Sequence, residues 1–192
     1  MTNANDRTVS FDDEMLILVD DDDNVVGYRD KVSCHLGDGV LHRAFSIFIF
    51  NDAGELLLQQ RSDQKMLWPL IWSNSCCSHP RKGETLENAT LRRLAEELGF
   101  TTDLQHLFTF QYTARYQDVG TENEMCAVYI GRSNEKPRVN PNEIADWKYV
   151  PFDEVTNELG RHPDVYSPWM KMEWERMMLE HRAEIEAMIR RP

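Results

Sequence analysis

Residues 42–60 read His-Arg-Ala-Phe-Ser-Ile-Phe-Ile-Phe-Asn-Asp-Ala-Gly-Glu-Leu-Leu-Leu-Gln-Gln. Two apolar runs, Phe45 to Phe50 and Leu56 to Leu58, flank Asn51-Asp52-Ala53-Gly54, whose residue types favour a turn. Nearly continuous apolar runs of this length belong to strands covered on both faces. The stretch therefore predicts a buried sheet and an α/β (α+β) architecture.

Working outward, residues 14–28 form a second hairpin pattern: Met15 to Val19, a turn at Asp20 to Asn24, then Val25 to Tyr28. Residues 29–41, with Gly37 and Gly39, read as a loop. Downstream, Leu91, Leu94, Ala95 and Leu98 recur at helical spacing, which predicts a helix over 86–98 stopped by Gly99. Strands are expected at 107–116 and 123–130, a short helix at 151–159 after Pro151, and one long amphipathic C-terminal helix over 168–190. Residues 1–13 read as a polar N-terminal extension, and 14–192 as a single domain.

The chain has 192 residues, enough for one core without staples. No apolar run reaches the roughly 20 residues needed to span a bilayer, and the polar, acidic start lacks the pattern of an export signal. Four cysteines (Cys34, Cys76, Cys77 and Cys126) without such a signal imply reduced thiols and a cytoplasmic protein. The net charge of −12 disfavours a nucleic-acid or anionic-membrane surface, both of which need a basic footprint. An anionic ligand would then require locally concentrated cations or a metal ion.

Residues 74–84, Asn-Ser-Cys-Cys-Ser-His-Pro-Arg-Lys-Gly-Glu, are too broken by Pro80 and Gly83 to be one helix. In an extended run Cys77 and His79 share a face while Cys76 points the other way. Along 121–130, alternation puts Glu122 and Glu124 on one face with Cys126, Val128 and Ile130. Two carboxylates among apolar neighbours need a cation or a shared proton. His35, His42 and His79 are available as nitrogen ligands, and such a set suits Mn²⁺ or Zn²⁺. A Cys/His zinc site from Cys34, His35, Cys77 and His79 departs from the usual spacing and ranks below it. On the 86–98 helix, Arg92 and Glu96, and Arg93 and Glu97, are spaced i, i+4: solvated pairs, or groups aimed at a metal and a phosphate.

The series Lys31…His35…His42, Arg61-x₃-Lys65, Trp68-Pro69-x₂-Trp72-x-Asn74-Ser75-x-Cys77-x-His79-Pro80, Glu122-Asn123-Glu124 and Ser167-Pro168-Trp169-Met170 strongly resembles the type 1 isopentenyl-diphosphate isomerases over about residues 14–180. That family lies in the Nudix superfamily, and Glu84 with Arg92-Arg93-Leu94-Ala95-Glu96-Glu97-Leu98-Gly99 is similar to a degenerate Nudix box. Ser78 stands where the box begins with glycine, and Arg93 where hydrolytic members carry a glutamate. The second change removes a metal-binding carboxylate and adds a phosphate-binding cation.

The resemblance implies a Nudix-type mixed β-sheet sandwiched between helices, and interconversion of isopentenyl and dimethylallyl diphosphates. It implies His35, His42, His79, Glu122 and Glu124 as ligands of one Mn²⁺ or Zn²⁺, and Glu97 as a contact to a Mg²⁺ carried with the substrate diphosphate. By the same resemblance Lys31, Arg61, Lys65 and Arg93 bind the diphosphate, Cys77 and Glu124 exchange protons, Tyr112 assists the glutamate, and Trp169 walls the pocket. The expected partner is a small isoprenoid diphosphate, and the expected assembly a monomer or weak homodimer. A Nudix hydrolase of a diphosphate substrate is the alternative, and a non-catalytic, metal-stabilised domain the third possibility.

Overall fold

Residues 6–190 are described in the computed structural model; residues 1–5 of the expected N-terminal extension and the last two residues lie outside the described range. The chain runs β1 (Met15–Val19), β2 (Val25–Asp30), α1 (Lys31–His35), β3 (His42–Phe50), β4 (Glu55–Arg61), β5 (Trp72–Ser73), β6 (Cys76–Ser78), α2 (Leu86–Leu98), β7 (Leu104–Tyr116), β8 (Gly120–Arg132), β9 (Ile144–Pro151), α3 (Phe152–Arg161), a 3₁₀ turn, α4 (Pro168–Glu180) and α5 (Arg182–Ile189).

β3 is the central strand. It runs parallel to β8 from His42↔Glu124 to Phe50↔Arg132, and β7 lies antiparallel against the other edge of β8. β4 pairs with β9 along its length, and β6 lies antiparallel to β3 through Ile47↔Cys76 and Phe45↔Ser78. The side chains of β3 divide between two cores. Phe48 and Phe50 pack with β8 and with Trp169, Trp174 and Met177 of α4; Phe45, Ile47 and Ile49 pack with Ala89, Leu94 and Leu98 of α2. Burial on both faces is what the nearly continuous apolar run at 45–50 predicts, and the result is a mixed sheet between helical layers.

α2 begins and ends where its sequence indicates. The Thr85 hydroxyl accepts the Asn88 N–H at one end, and Gly99 adopts φ 76° at the other. Three expectations change. The 29–41 segment is not all loop: Asp30 caps a single turn, α1, by accepting the Ser33 N–H at 2.9 Å. The 168–190 segment is two helices, because the backbone turns at His181 (φ −126°, ψ 8°). The His181 ring stacks on Phe108 at 5.4 Å and meets Glu184, so the chain bends and Ile185 and Met188 reach the core. β9 was not anticipated, since its exposed Ala145-Asp146 and half-buried Trp147, Lys148 and Tyr149 give no clean period.

Candidate active site

Four chain segments bring the histidines and glutamates together. α1 carries His35, whose Nδ1 lies 2.6 Å from the Lys31 carbonyl. His42 opens β3 with Nδ1 2.7 Å from the Val40 carbonyl, and the parallel register sets it opposite Glu124 on β8. The chain leaving β6 delivers His79. One ligand atom from each of His35, His42, His79, Glu122 and Glu124 lies within 4.8 Å of every other, and all five residues are buried. His35 Nε2 is 2.8 Å from Glu122 Oε2, and His79 Nε2 is 2.9 Å from Glu124 Oε1.

Protonation alone satisfies this cluster poorly. An imidazole whose Nδ1–H donates to a carbonyl turns an Nε2 lone pair inward. Among the described residues His42 Nε2 is buried without a hydrogen-bond partner, and Glu122 Oε2 has only the His35 imidazole beside it. Burial, then His35, pushes the His42 pKa down to about 4, and burial with the two other histidines holds His79 well below its usual range. Burial also disfavours the His35 cation, but Glu122 outweighs it and the pKa rises. Burial and the Glu122 charge push Glu124 up, while His35 overcomes burial at Glu122 and takes it down to about 2. Neutral imidazoles and crowded carboxylates converging on one point, with the unpaired His42 Nε2 among them, are the donor set of a divalent cation.

The cluster forms one wall of a cavity of about 210 Å³. Lys31, Lys65 and Arg93 line one part of it. Lys65 pairs with Glu143, and Arg93 meets Glu97 at 2.6 Å and Glu143 at 3.0 Å. Burial, then neighbouring Lys65, lowers the Lys31 pKa to about 8. At Glu143 burial acts upward, but Lys65 and Arg93 outweigh it and the carboxyl falls to about 2. The cations are thus held in position before any ligand arrives.

Cys77, Tyr112 and Trp169 line the same cavity. Tyr112 Oη donates to Glu124 Oε2 at 2.6 Å, and burial followed by the Glu124 charge keeps the phenol protonated. Arg61 Nη1 lies 3.8 Å from Cys77 Sγ, and the guanidinium sits 5.1 Å from the Trp169 ring centre. Burial pushes the Cys77 thiol up to about 12, with Arg61 opposing it. Asn74 ties the two walls together. Its Nδ2 donates to the Cys76 and Ile47 carbonyls, and its Oδ1 accepts from Trp169 Nε1 at 3.2 Å.

The structure gathers Lys31, Arg61, Lys65, Arg93, Cys77, Tyr112, Trp169, His35, His79, Glu122 and Glu124 on the cavity wall, with His42 directly behind in the cluster. Glu97 is not on that wall; its Oε1 takes two hydrogen bonds from Arg93. Glu143 and Asn74 were given no role from sequence. Glu143 lies in a polar loop and reveals itself only through Lys65 and Arg93, which are 78 and 50 positions away.

The comparisons with known proteins agree with this geometry. The NUDIX domain family matches residues 40–171. The chain is 40% identical over 170 residues to isopentenyl-diphosphate Delta-isomerase 1 of Photorhabdus laumondii, covering 88% of this chain and 97% of that one. It is 45% identical over 157 residues to the isopentenyl-diphosphate Delta-isomerase of Serratia proteamaculans, covering 82% and 87%. In fold it is similar to a crystal structure from Deinococcus radiodurans (TM-score 0.67, 23% identity, 83% of this chain and 96% of that one) and to a MutT protein from Methanosarcina mazei (TM-score 0.60, 18% identity, 74% and 96%). A family match across most of the chain, with relatives at this identity over nearly their whole length, is decisive: the chain belongs to the isopentenyl-diphosphate Delta-isomerase family of NUDIX-domain proteins.

Proposed function

We propose that this protein interconverts isopentenyl and dimethylallyl diphosphates. The observation that carries the reading is one cavity with two chemistries: Lys31, Lys65 and Arg93 in one part, and Cys77, Trp169 and the Tyr112–Glu124 pair in another. The first suits a diphosphate, the second a short branched alkene.

The reaction adds a proton to the terminal alkene carbon and removes one from the carbon two bonds away, so atoms balance without a co-reactant. We assign the donor to Glu124, with Tyr112 holding its second oxygen, and the acceptor to Cys77. Two separate acid/base groups each contribute roughly 10²–10⁴-fold. Between the steps the substrate carries positive charge at its tertiary carbon. The Trp169 face stabilises that charge by about 2 kcal/mol when desolvated, and the reaction requires that water be kept from trapping it. Arg61, beside Cys77 Sγ, favours the thiolate.

His35, His42, His79, Glu122 and Glu124 would hold a Mn²⁺ or Zn²⁺, whose charge would fix the Glu124 carboxylate and alter its acidity. A Mg²⁺ would accompany the diphosphate; Glu97, the contact expected for it, lies off the cavity wall and is held by Arg93. A cytoplasmic, reducing setting fits a mechanism that needs Cys77 as a free thiol.

Hydrolysis of a diphosphate is the competing chemistry for this fold. Here Glu84 accepts two hydrogen bonds from Arg92, at 2.7 and 2.8 Å, and Glu96 meets both Arg92 and Arg93. Carboxylates already neutralised by guanidinium groups are poorly free to take the metal that hydrolysis requires. Incubation with isopentenyl diphosphate, Mg²⁺ and Mn²⁺ in D₂O, followed by NMR, separates the two. Deuterium entering dimethylallyl diphosphate is the expected result; phosphate or pyrophosphate released without isomerised product overturns the proposal.

A further inference from the structure

Residues 6–12, whose sequence reads only as polar extension, cross the cationic part of the cavity. Thr8, Ser10 and Asp12 are on its wall, beside Lys31, Lys65 and Arg93. The segment is anchored along its length. Asn142 and Asn140 donate their side-chain N–H groups to the carbonyls of Asp6 and Arg7, at 3.0 and 2.9 Å. The Val9 side chain is buried, and its carbonyl accepts from both Arg81 (2.8 Å) and Arg93 (3.1 Å). The Val32 N–H reaches the Asp12 carbonyl at 3.4 Å. Asn140 also donates its backbone N–H to the Glu97 carbonyl, so the segment is tied to the end of α2 that carries Arg93.

Within this segment the Ser10 hydroxyl contacts Lys31 Nζ. An ammonium has only donors, so Lys31 donates and Ser10 accepts. The Ser10 proton is left over, and among the described residues no acceptor for it is recorded. A hydroxyl that accepts from a cation is polarised toward donating its own proton, and it faces the space where the cations converge.

We propose that residues 8–12 are a strap forming part of the diphosphate site, in which Ser10 holds Lys31 and donates its hydroxyl proton to a phosphate oxygen. The inference rests on the diphosphate reading of the cavity. The strap adds to the site a neutral donor beside Lys31 and a main-chain carbonyl, Val9, that holds Arg93. Asp12 is the opposing charge, but its side chain is exposed at the rim, where water screens it.

The test uses the full-length protein with Ser10→Ala and Ser10→Thr, and a variant lacking residues 2–12. Binding of inorganic pyrophosphate with Mg²⁺ is measured by calorimetry, alongside steady-state isomerisation of isopentenyl diphosphate. Ser10→Ala should weaken pyrophosphate binding about 10-fold, as expected for a lost hydrogen bond to a charged group. KM should rise by a similar factor with kcat changed less than about threefold, because the contact is made in ground and transition states alike. Ser10→Thr, which keeps the hydroxyl, should recover most of the loss, and the shortened chain should lose more than Ser10→Ala. Equal pyrophosphate affinity in parent and Ser10→Ala overturns the strap, and so does a parent that does not bind pyrophosphate. If the shortened chain fails to fold, the Ser10 pair still decides. A parent that binds pyrophosphate, with Ser10→Ala weakened, yet isomerises nothing leaves the strap standing and sinks the isomerase reading instead.

Discussion

Cys76 and Cys77 are neighbours with opposite surroundings. β6 is extended against β3, so Cys76 enters the α2 core beside Phe45, Ile47 and Leu94, while Cys77 joins the cavity wall. Burial, then Glu97, drives the Cys76 thiol far up and keeps it protonated and inert. Cys77→Ala should therefore lower isomerase turnover by about 10²–10⁴-fold. Cys76→Ala should retain most turnover and cost stability through a small core void. Comparable activity losses in two folded variants would mean that the wrong thiol has been chosen. At the metal cluster, His42→Ala should lose bound Mn²⁺ or Zn²⁺ by more than the ~10–100-fold that even outer partners of a metal ligand cost. Elemental analysis after dialysis reads this without any activity assay, and full metal content in the variant would remove His42 from the set. The Cys77/His79 pairing was legible because a strand has period two. The role of Glu143 was not, because a lone glutamate in a loop acquires meaning only when the fold brings Lys65 and Arg93 to it.

At the level of elements, the site depends on how closely the β7–β8 hairpin approaches α1. A Cβ on Gly120 would stand 2.5 Å from the His35 carbonyl oxygen and 3.1 Å from Leu67 Cδ2. Backbone cannot yield there without moving α1, which carries both Lys31 and His35. Gly120→Ala should thus cost about 1–3 kcal/mol in stability and weaken metal binding together with it. Gly160, in α3, has no atom within 4 Å of its virtual Cβ, so Gly160→Ala should be neutral or stabilising by up to about 1 kcal/mol. Thermal unfolding with and without Mn²⁺ checks both; a Gly120→Ala protein that melts and binds metal like the parent would refute the close-approach argument. The ends of α2 were legible because its cap and stop residue are local, but its buried face was read only in part: Leu94 and Leu98 are buried, Leu91 and Ala95 of the expected stripe are exposed, and Ala89, Arg93 and Glu97 take their place. α1 was not legible, since a single capped turn has no period to detect. The bend at His181 was hidden because the sequence through it stays helix-compatible, and the ring's contact with Phe108 is long-range.

Across the whole molecule, a net charge of −12 surrounds a small group of buried cations. The helical layer behind them carries one buried acid that the proposed chemistry does not use. Glu173 lies on α4 one turn beyond Trp169 and is fully buried. Its Oε1 accepts from Cys126 Sγ at 3.5 Å, and its Oε2 has no partner among the described residues. Burial raises its pKa from 4.5 to about 8, against the opposing hydrogen bonds of Ser46 and Cys126. Between those two values the folded carboxyl keeps a proton that the unfolded chain has released. Protons bound are then greater in the native state, so the contribution of Glu173 to stability falls as pH rises through this window and levels off above the folded pKa. Glutamine keeps the shape and cannot ionise. In urea titrations, Glu173→Gln should gain on the parent as the buffer is taken from about pH 5 to about pH 8, by at most ~1.4 kcal/mol per pH unit. The sign follows from burial, since among the described residues no cation meets an ionised carboxylate in this apolar layer. A stability difference that stays constant across the range would mean that Glu173 is already charged in the folded protein, and that the layer behind the cavity is more polar than its packing implies.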